Sequence, residues 1–332
     1  MPMHNPGALI NQLFKPHDQQ GFNALCIELF RFQYKNNTSY RQFVDFLGKR
    51  PDQIQSYHEI PFLPIHIFKT KQITTGEFIP EVVFTSSGTS GSVTSQHFVK
   101  SKDLYIKSLM AGFNTFFGSP ENFVILALLP SYLEREGSSL VLMADELIRK
   151  SKHPESGFFL HDYQQLSSML HQLRRQKKPT ILLGVTYALL DMAEQFPMDF
   201  PELLVMETGG MKGKRKEMVR DELHQQLKAG FGVGRIYSEY GMTELLSQAY
   251  STGEGIFRTP PWMKVLIRDT NDPLTWLSEN QSGGINIIDL ANVYSCAFIE
   301  TQDLGKTYAD GSFEVLGRFD NSDVRGCNLL VG

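Results

Sequence analysis

The sequence predicts an α/β protein, a core of parallel α/β layers with a smaller β-rich lobe toward its end. Three patterns predict it. Continuous apolar runs such as Phe123 to Leu128 read as strands covered on both faces. Segments with apolar residues at helical spacing separate these runs, and such alternation favours a parallel sheet. Beyond about residue 250 the helical spacing fades, and short strand-like runs follow one another between Gly, Asp and Asn turns. The 332 residues suffice for a large core in one or two domains.

Taken in order, residues 1–60 read as mainly helical, with Phe22, Leu25, Phe30, Phe32, Phe43 and Phe46 at helical spacing. The prolines of Ile60-Pro61-Phe62-Leu63-Pro64-Ile65 exclude a helix interior and make this stretch an extended connector. Val82-Val83-Phe84 is a short strand. Ser101 caps a helix carrying Ile106, Leu109, Met110, Phe113 and Phe117. Leu166, Met169, Leu170 and Leu173 mark another helix, followed by strands at Thr180 to Leu183, Glu202 to Met206 and Arg235 to Tyr237. Lys264 to Ile267, Ile285 to Ile288, Ala297 to Glu300 and Phe313 to Leu316 are the strands of the final lobe. The division expected is 1–80, a mainly helical segment packed on the core; 81–250, the α/β nucleotide-binding core; and 251–332, the β-rich lobe.

Composition narrows the function. A formal net charge of −4 gives no basic stripe for nucleic acid. Lys212, Lys214, Arg215 and Lys216 are offset by Glu217, Asp221 and Glu222 and read as a solvated helix start. Three widely spaced cysteines do not make a disulfide framework. The start shows no signal peptide, and the longest apolar run, Phe123 to Leu129, is far short of the roughly 20 residues a membrane span needs. The chain reads as cytoplasmic, with no membrane span. Its nine histidines are scattered and form no metal cage.

Three short stretches carry chemistry. In the first, Ser86-Ser87-Gly88-Thr89-Ser90-Gly91 follows a strand, and its hydroxyls and amides can converge on phosphate oxygens. It is not a Walker loop, because Gly91 is followed by Ser92-Val93. The second is Tyr240-Gly241-Met242-Thr243-Glu244: a tyrosine to stack on a purine, a threonine for a phosphate, a glutamate for Mg²⁺. The third sets Asp303 and Arg318 fifteen residues apart, an acid for ribose hydroxyls and a cation beside the α-phosphate. Each alone has a plain alternative: a flexible loop, a strand-end tyrosine before a helix-starting Thr-Glu pair, and a β-turn aspartate with a surface arginine.

In this order the stretches resemble the adenylate-forming superfamily of acyl-CoA synthetases, adenylation domains and firefly luciferase. Ser86 to Gly91 looks like that superfamily's phosphate loop, and Tyr240 to Glu244 like its adenine-and-magnesium motif. Asp303 and Gly317-Arg318-Phe319-Asp320 look like its ribose motifs. Glu207-Thr208-Gly209-Gly210-Met211 lies where it places the adenine-contacting loop. Ile60 to Ile65, Pro130-Ser131-Tyr132-Leu133-Glu134-Arg135 with Ser138-Ser139-Leu140, and Arg325-Gly326-Cys327 resemble the acyl-protein synthetase branch, nearly the whole chain being covered.

The resemblance implies an adenylate-forming core lacking the superfamily's mobile C-terminal domain. It also implies ATP and Mg²⁺ as cofactors, with Glu244 on the metal. Two departures stand: no lysine follows Gly91, and no lysine from a further domain meets the α-phosphate, which leaves Lys212, Lys214 and Arg318 as candidate cations. The implied reaction converts a fatty or related acid to its adenylate and passes the acyl group to a thiol. Cys327 matches the branch's acylated cysteine, with Thr243 and Glu244 as catalytic companions, and an acyl reductase or acyl carrier as partner. Cys26 and Cys296, among apolar neighbours, read as packing residues. Two alternatives remain: an acyl- or aryl-CoA ligase using free coenzyme A or a carrier thiol, and a non-catalytic adenylate-binding subunit.

Overall fold

A computed structural model describes residues 6–86, 93–129, 137–209 and 218–319. The chain runs α1 (Pro6–Leu13), α2 (Gln19–Asn36), α3 (Thr38–Phe46), β1 (Leu63–Pro64), β2 (Val82–Thr85), β3 (Gln96–Val99), α4 (Lys102–Phe117), β4 (Val124–Leu128), α5 (Ser139–Ser151) and β5 (Gly157–Phe159). It continues through α6 (Tyr163–Gln176), β6 (Thr180–Val185), α7 (Thr186–Gln195), β7 (Leu204–Thr208), α8 (Arg220–Phe231), β8 (Tyr237–Tyr240) and β9 (Ala249–Ser251). The last strands are β10 (Ile256–Arg258), β11 (Met263–Arg268), β12 (Gly283–Asp289), β13 (Phe298–Thr307) and β14 (Phe313–Arg318). The expected division follows chain order. By contacts, one compact unit gathers the described residues within 1–81, 88–100 and 258–332, and another those within 82–87 and 101–257.

The first unit joins the N-terminal helices to the strands near the chain's end. Asp18 and Asn37 cap α2 and α3 by accepting from the amides of Gly21 and Tyr40, which satisfies donors the helix cannot use itself. Phe30, Tyr40 and Phe62 pack their rings on Phe298 at 6.0 to 6.4 Å. The buried Gln33 amide donates to Asn292 O at 2.8 Å and accepts from Ala297 N at 3.0 Å, so a polar side chain is tolerated there because it is fully bonded. β11, β12, β13 and β14 pair antiparallel in that order. The proline-punctuated connector is extended, as its prolines require, and β1 within it pairs in parallel with Ile299 and Glu300 of β13. Phe46 departs from expectation: α3 buries Tyr40 and Val44 on one face, and Phe46, two residues past Val44, falls on the opposite face and is 88% exposed.

The second unit contains the parallel sheet. Its order is β5-β4-β6-β7-β8-β9, parallel as far as β8, with β9 antiparallel. Every residue of β4 and β6 is buried, which explains why β4 is wholly apolar and β6 is apolar after Thr180, whose hydroxyl donates to Lys178 O. Ser101 caps α4 by accepting from Leu104 N at 3.2 Å, and the helix buries Leu109 and Phe113. The strand expected to end at Tyr237 instead begins there and runs to Tyr240. β8 alternates half-buried Tyr237 and Glu239 with buried Ser238 and Tyr240, so its pattern is not that of an apolar strand.

Candidate functional site

In an open α/β sheet, ligands meet the carboxyl ends of parallel strands. Here β7 ends at Thr208-Gly209 and β8 at Tyr240-Gly241, side by side. Register sets Thr208 beside Glu239 and Glu239 opposite Tyr250, one row across three strands. Glu207, Ser238 and Ser251 form the neighbouring row, directed to the other face because side chains alternate along strands. Thr208 Oγ1 donates to Glu239 Oε2 at 2.5 Å. Burial holds the Tyr250 phenol well above its usual pKa, and the nearby Glu239 charge raises it further.

Tyr240 is buried, its ring edge-on to Phe257 at 5.9 Å. A Cβ on Gly241 would collide with the Glu239 carboxylate, so a larger residue there would require that side chain to shift. Leu245 N donates to Met242 O at 3.2 Å and closes a turn. That turn leaves Thr243 half-buried and Glu244 buried. No helix begins at Thr243-Glu244; the chain turns and returns as β9. The alternative of a helix-starting pair is therefore corrected: the motif is a strand end followed by a turn.

Of the first stretch, Ser86 is described and Ser87, Gly88, Thr89, Ser90 and Gly91 lie outside the described residues. So do Gly210, Met211, Lys212, Lys214 and Cys327. Thr85 N donates to Gly137 O at 2.8 Å and fixes the chain just before Ser86. Gly209 has a left-handed φ of +61°, which glycine adopts without strain. Glu207 is buried beside His224, whose Nε2 stands 3.8 Å from its carboxylate. Burial alone would raise the Glu207 pKa. His224, the Arg220 guanidinium and Ser238 together outweigh it and hold the carboxyl below its usual value.

In the other unit, β13 and β14 set Asp303 directly opposite Arg318, and Arg318 Nε donates to Asp303 Oδ1 at 3.2 Å. The aspartate is buried and its partner is largely in solvent. Asp303 is not on a turn, as its plain alternative had it: β13 extends from Phe298 to Thr307 and carries it in mid-strand. A carboxylate so placed accepts hydrogen bonds and has no donor of its own, the chemistry a sugar diol requires.

Sequence reasoning missed Arg268. Its buried guanidinium donates to Ile285 O at 3.0 Å, Asn286 Oδ1 at 2.8 Å and Thr301 O at 2.8 Å, and faces the Phe319 ring at 5.4 Å. Burial lowers its pKa, against the pull of Glu300 and Asp303. A signal was present in Gly283-Gly284. A Cβ on Gly284 would strike the Arg268 guanidinium, and glycine inside a strand marks such close approach.

Cys26 and Cys296 are free and buried; burial pushes the Cys26 thiol far up and that of Cys296 to about 12. Among the described residues no group of three His, Cys, Asp or Glu is arranged to hold a metal ion. No described helix is long and apolar enough to cross a membrane.

Comparison with known proteins agrees with the resemblance seen in the motifs. The family described as "Acyl-protein synthetase, LuxE" matches residues 12–123. The long-chain-fatty-acid–luciferin-component ligase of Vibrio harveyi is 24% identical over 330 residues, covering 91% of this chain and 85% of the relative. That of Aliivibrio fischeri is 23% identical over 338 residues, covering 93% and 87%. Among solved structures, an open 2-hydroxyisobutyryl-CoA ligase with 2-HIB-AMP and CoA matches with a TM-score of 0.64 at 12% identity, over 93% of this chain and 72% of that one. ATP-bound MatB from Rhodopseudomonas palustris gives 0.55 at 17%, over 73% of this chain and 49% of its own, so the chain spans about half the length of MatB. The fold is that of an adenylate-forming enzyme core, and the sequence resembles the acyl-protein synthetases.

Proposed function

We propose that this relative of the acyl-protein synthetases is an AMP-forming acid–thiol ligase acting on long-chain fatty acids. A carboxylate oxygen attacks the α-phosphorus of ATP, the bond to pyrophosphate breaks, and acyl-adenylate forms. A thiolate then attacks the acyl carbon, a thioester forms and AMP leaves. The thiol is Cys327, its proton passing to solvent, and the acyl group goes on to a reductase or a carrier. The observation that carries this reading is the placement of Gly209 and Tyr240-Gly241 side by side at the carboxyl ends of β7 and β8, with Thr243 and Glu244 on the turn that follows.

The roles follow from the chemistry of each group. Tyr240, Gly241, Gly209, Gly210 and Met211 meet the base, Ser86 to Gly91 and Thr243 the phosphates, and Asp303 and Arg318 the ribose. Glu244 offers a carboxylate oxygen, the donor Mg²⁺ prefers when it arrives with a nucleotide, and the metal supplies charge neutralisation at the phosphates. The fatty acid rests on the names of the two ligases of Vibrio harveyi and Aliivibrio fischeri, and the reductase on the resemblance to the acyl-protein synthetases alone. The free thiols of Cys26 and Cys296 support a cytoplasmic setting.

Acid-dependent exchange of labelled pyrophosphate into ATP tests the reaction. With Mg²⁺ and a panel from tetradecanoate to benzoate, exchange appears with the fatty acids. Glu244→Gln, which keeps the volume and removes the charge, lowers its rate about a hundredfold. Absence of exchange with every acid, alongside retained ATP binding, would leave a non-catalytic adenylate-binding subunit in its place.

A further inference from the structure

Behind Glu239, on the opposite face of the β7–β8 pair, lies a second polar group to which the proposed reaction assigns no part. Thr186 opens α7, Glu207 stands one residue before the end of β7, and His224 sits within α8; their exposures are 2%, 8% and 6%. Thr186 Oγ1 is 3.1 Å from Glu207 Oε2 and 3.1 Å from the carbonyl oxygen of Gly209. One hydroxyl thus reaches both the carboxylate of the strand and the backbone just beyond it. His224 Nε2 backs the carboxylate at 3.8 Å and makes no hydrogen bond among the described residues. Arg220, whose charge also acts on Glu207, donates to Gly255 O at 3.1 Å and faces the Phe257 ring at 5.1 Å.

A buried carboxylate beside an imidazole is a weak source of stability, because removing two polar groups from water offsets their attraction. Its reach toward Gly209 suggests a positional use. The φ of +61° turns the chain sharply at that residue, and a hydrogen bond to its carbonyl oxygen holds that group's orientation. We infer that Thr186 and Glu207, backed by His224, are positioning residues that set the Gly209 peptide at the head of the base-contacting segment and so tune affinity for the adenine of ATP. This rests on the reading of 207–211 as the segment that meets the base.

Thr186→Val removes the hydroxyl and keeps the shape; Thr186→Ser keeps the hydroxyl. In the exchange assay, Thr186→Val raises KM for ATP about threefold to tenfold, the effect of one hydrogen bond. KM for pyrophosphate, which carries no base, stays at the wild-type value. Thr186→Ser restores KM for ATP, and Glu207→Gln, which still accepts from Thr186, falls between the two. Calorimetry of ATP binding to the same proteins shows the same order without requiring turnover. Equal ATP affinity in Thr186→Val and wild type would overturn the inference, as would equal weakening toward ATP and pyrophosphate. If wild type bound ATP without exchange, the proposed reaction would fall and calorimetry would still decide this inference. If wild type bound no ATP, both would fall.

Discussion

Asp303 is buried while the arginine across its hairpin is 77% exposed, and the difference decides what each contributes. An ion pair with one arm in water adds little stability, so the proposed ribose role of Asp303 can be tested without unfolding the hairpin. Asp303→Ala should therefore weaken ATP about tenfold, the loss of a hydrogen bond to a charged group. Against 2′-deoxy-ATP the same substitution should cost much less. Equal losses for the two nucleotides would detach Asp303 from the ribose. The cysteines make a separate prediction. Thiols held neutral by burial do not alkylate, so at pH 8 iodoacetamide should leave Cys26 and Cys296 unmodified until denaturant is added. Peptide mapping by mass spectrometry checks this. Burial of these two was legible from their apolar neighbours. The partnership of Asp303 with Arg318 was legible only as a spacing, because a hairpin's register depends on bulges such as the one between Leu304 and Gly305.

Elements with a single strong signal were read correctly from sequence. Ser101 and a 3.6-residue apolar repeat define α4, and an all-buried run defines β4. Elements with polar residues along the strand were displaced or shortened. β8 carries Ser238 and Glu239, and β13 carries Gln302, Asp303 and Gly305, so neither shows the alternation of a strand with one dry face. The compact units were beyond reach of local pattern, since Gln33 finds its partners more than 250 residues away. Arg268 shows the energetic side of this. Its guanidinium satisfies two backbone carbonyls and Asn286 between β11, β12 and β13. Arg268→Ala should leave them unpaired and cost about 3–5 kcal/mol in urea unfolding, the penalty for breaking a buried charged network. A cost under about 1 kcal/mol would show that the sheet does not depend on it.

For the whole molecule, burial sets an alkaline limit. Tyr40, Tyr105 and Tyr250 have pKa values raised by burial, and Cys296 is pushed up to about 12. Groups whose folded pKa exceeds the unfolded one contribute stability fully below the unfolded value, about 8.5 for cysteine and about 10 for tyrosine. That contribution declines as pH rises beyond those values. Thermal midpoints should thus fall steeply above pH 10, with the tyrosinate absorbance of these residues appearing only as the protein unfolds. A flat profile to pH 11 would contradict this.

The order of motifs made the fold legible although the solved structures compared share only 12 and 17% of residues with this chain. The family match stops at residue 123, so the Tyr240 to Glu244 turn and the Asp303–Arg318 pair carry the reading beyond it. The proposed reaction activates a fatty acid and takes the acyl group onto the chain's own thiol. The most direct test is intact mass after incubation with Mg-ATP and tetradecanoate, with pyrophosphate followed in parallel. The account predicts an acyl-sized mass gain that is absent in Cys327→Ser while pyrophosphate release persists. Pyrophosphate release without any gain in wild type, or a gain that survives Cys327→Ser, would contradict it.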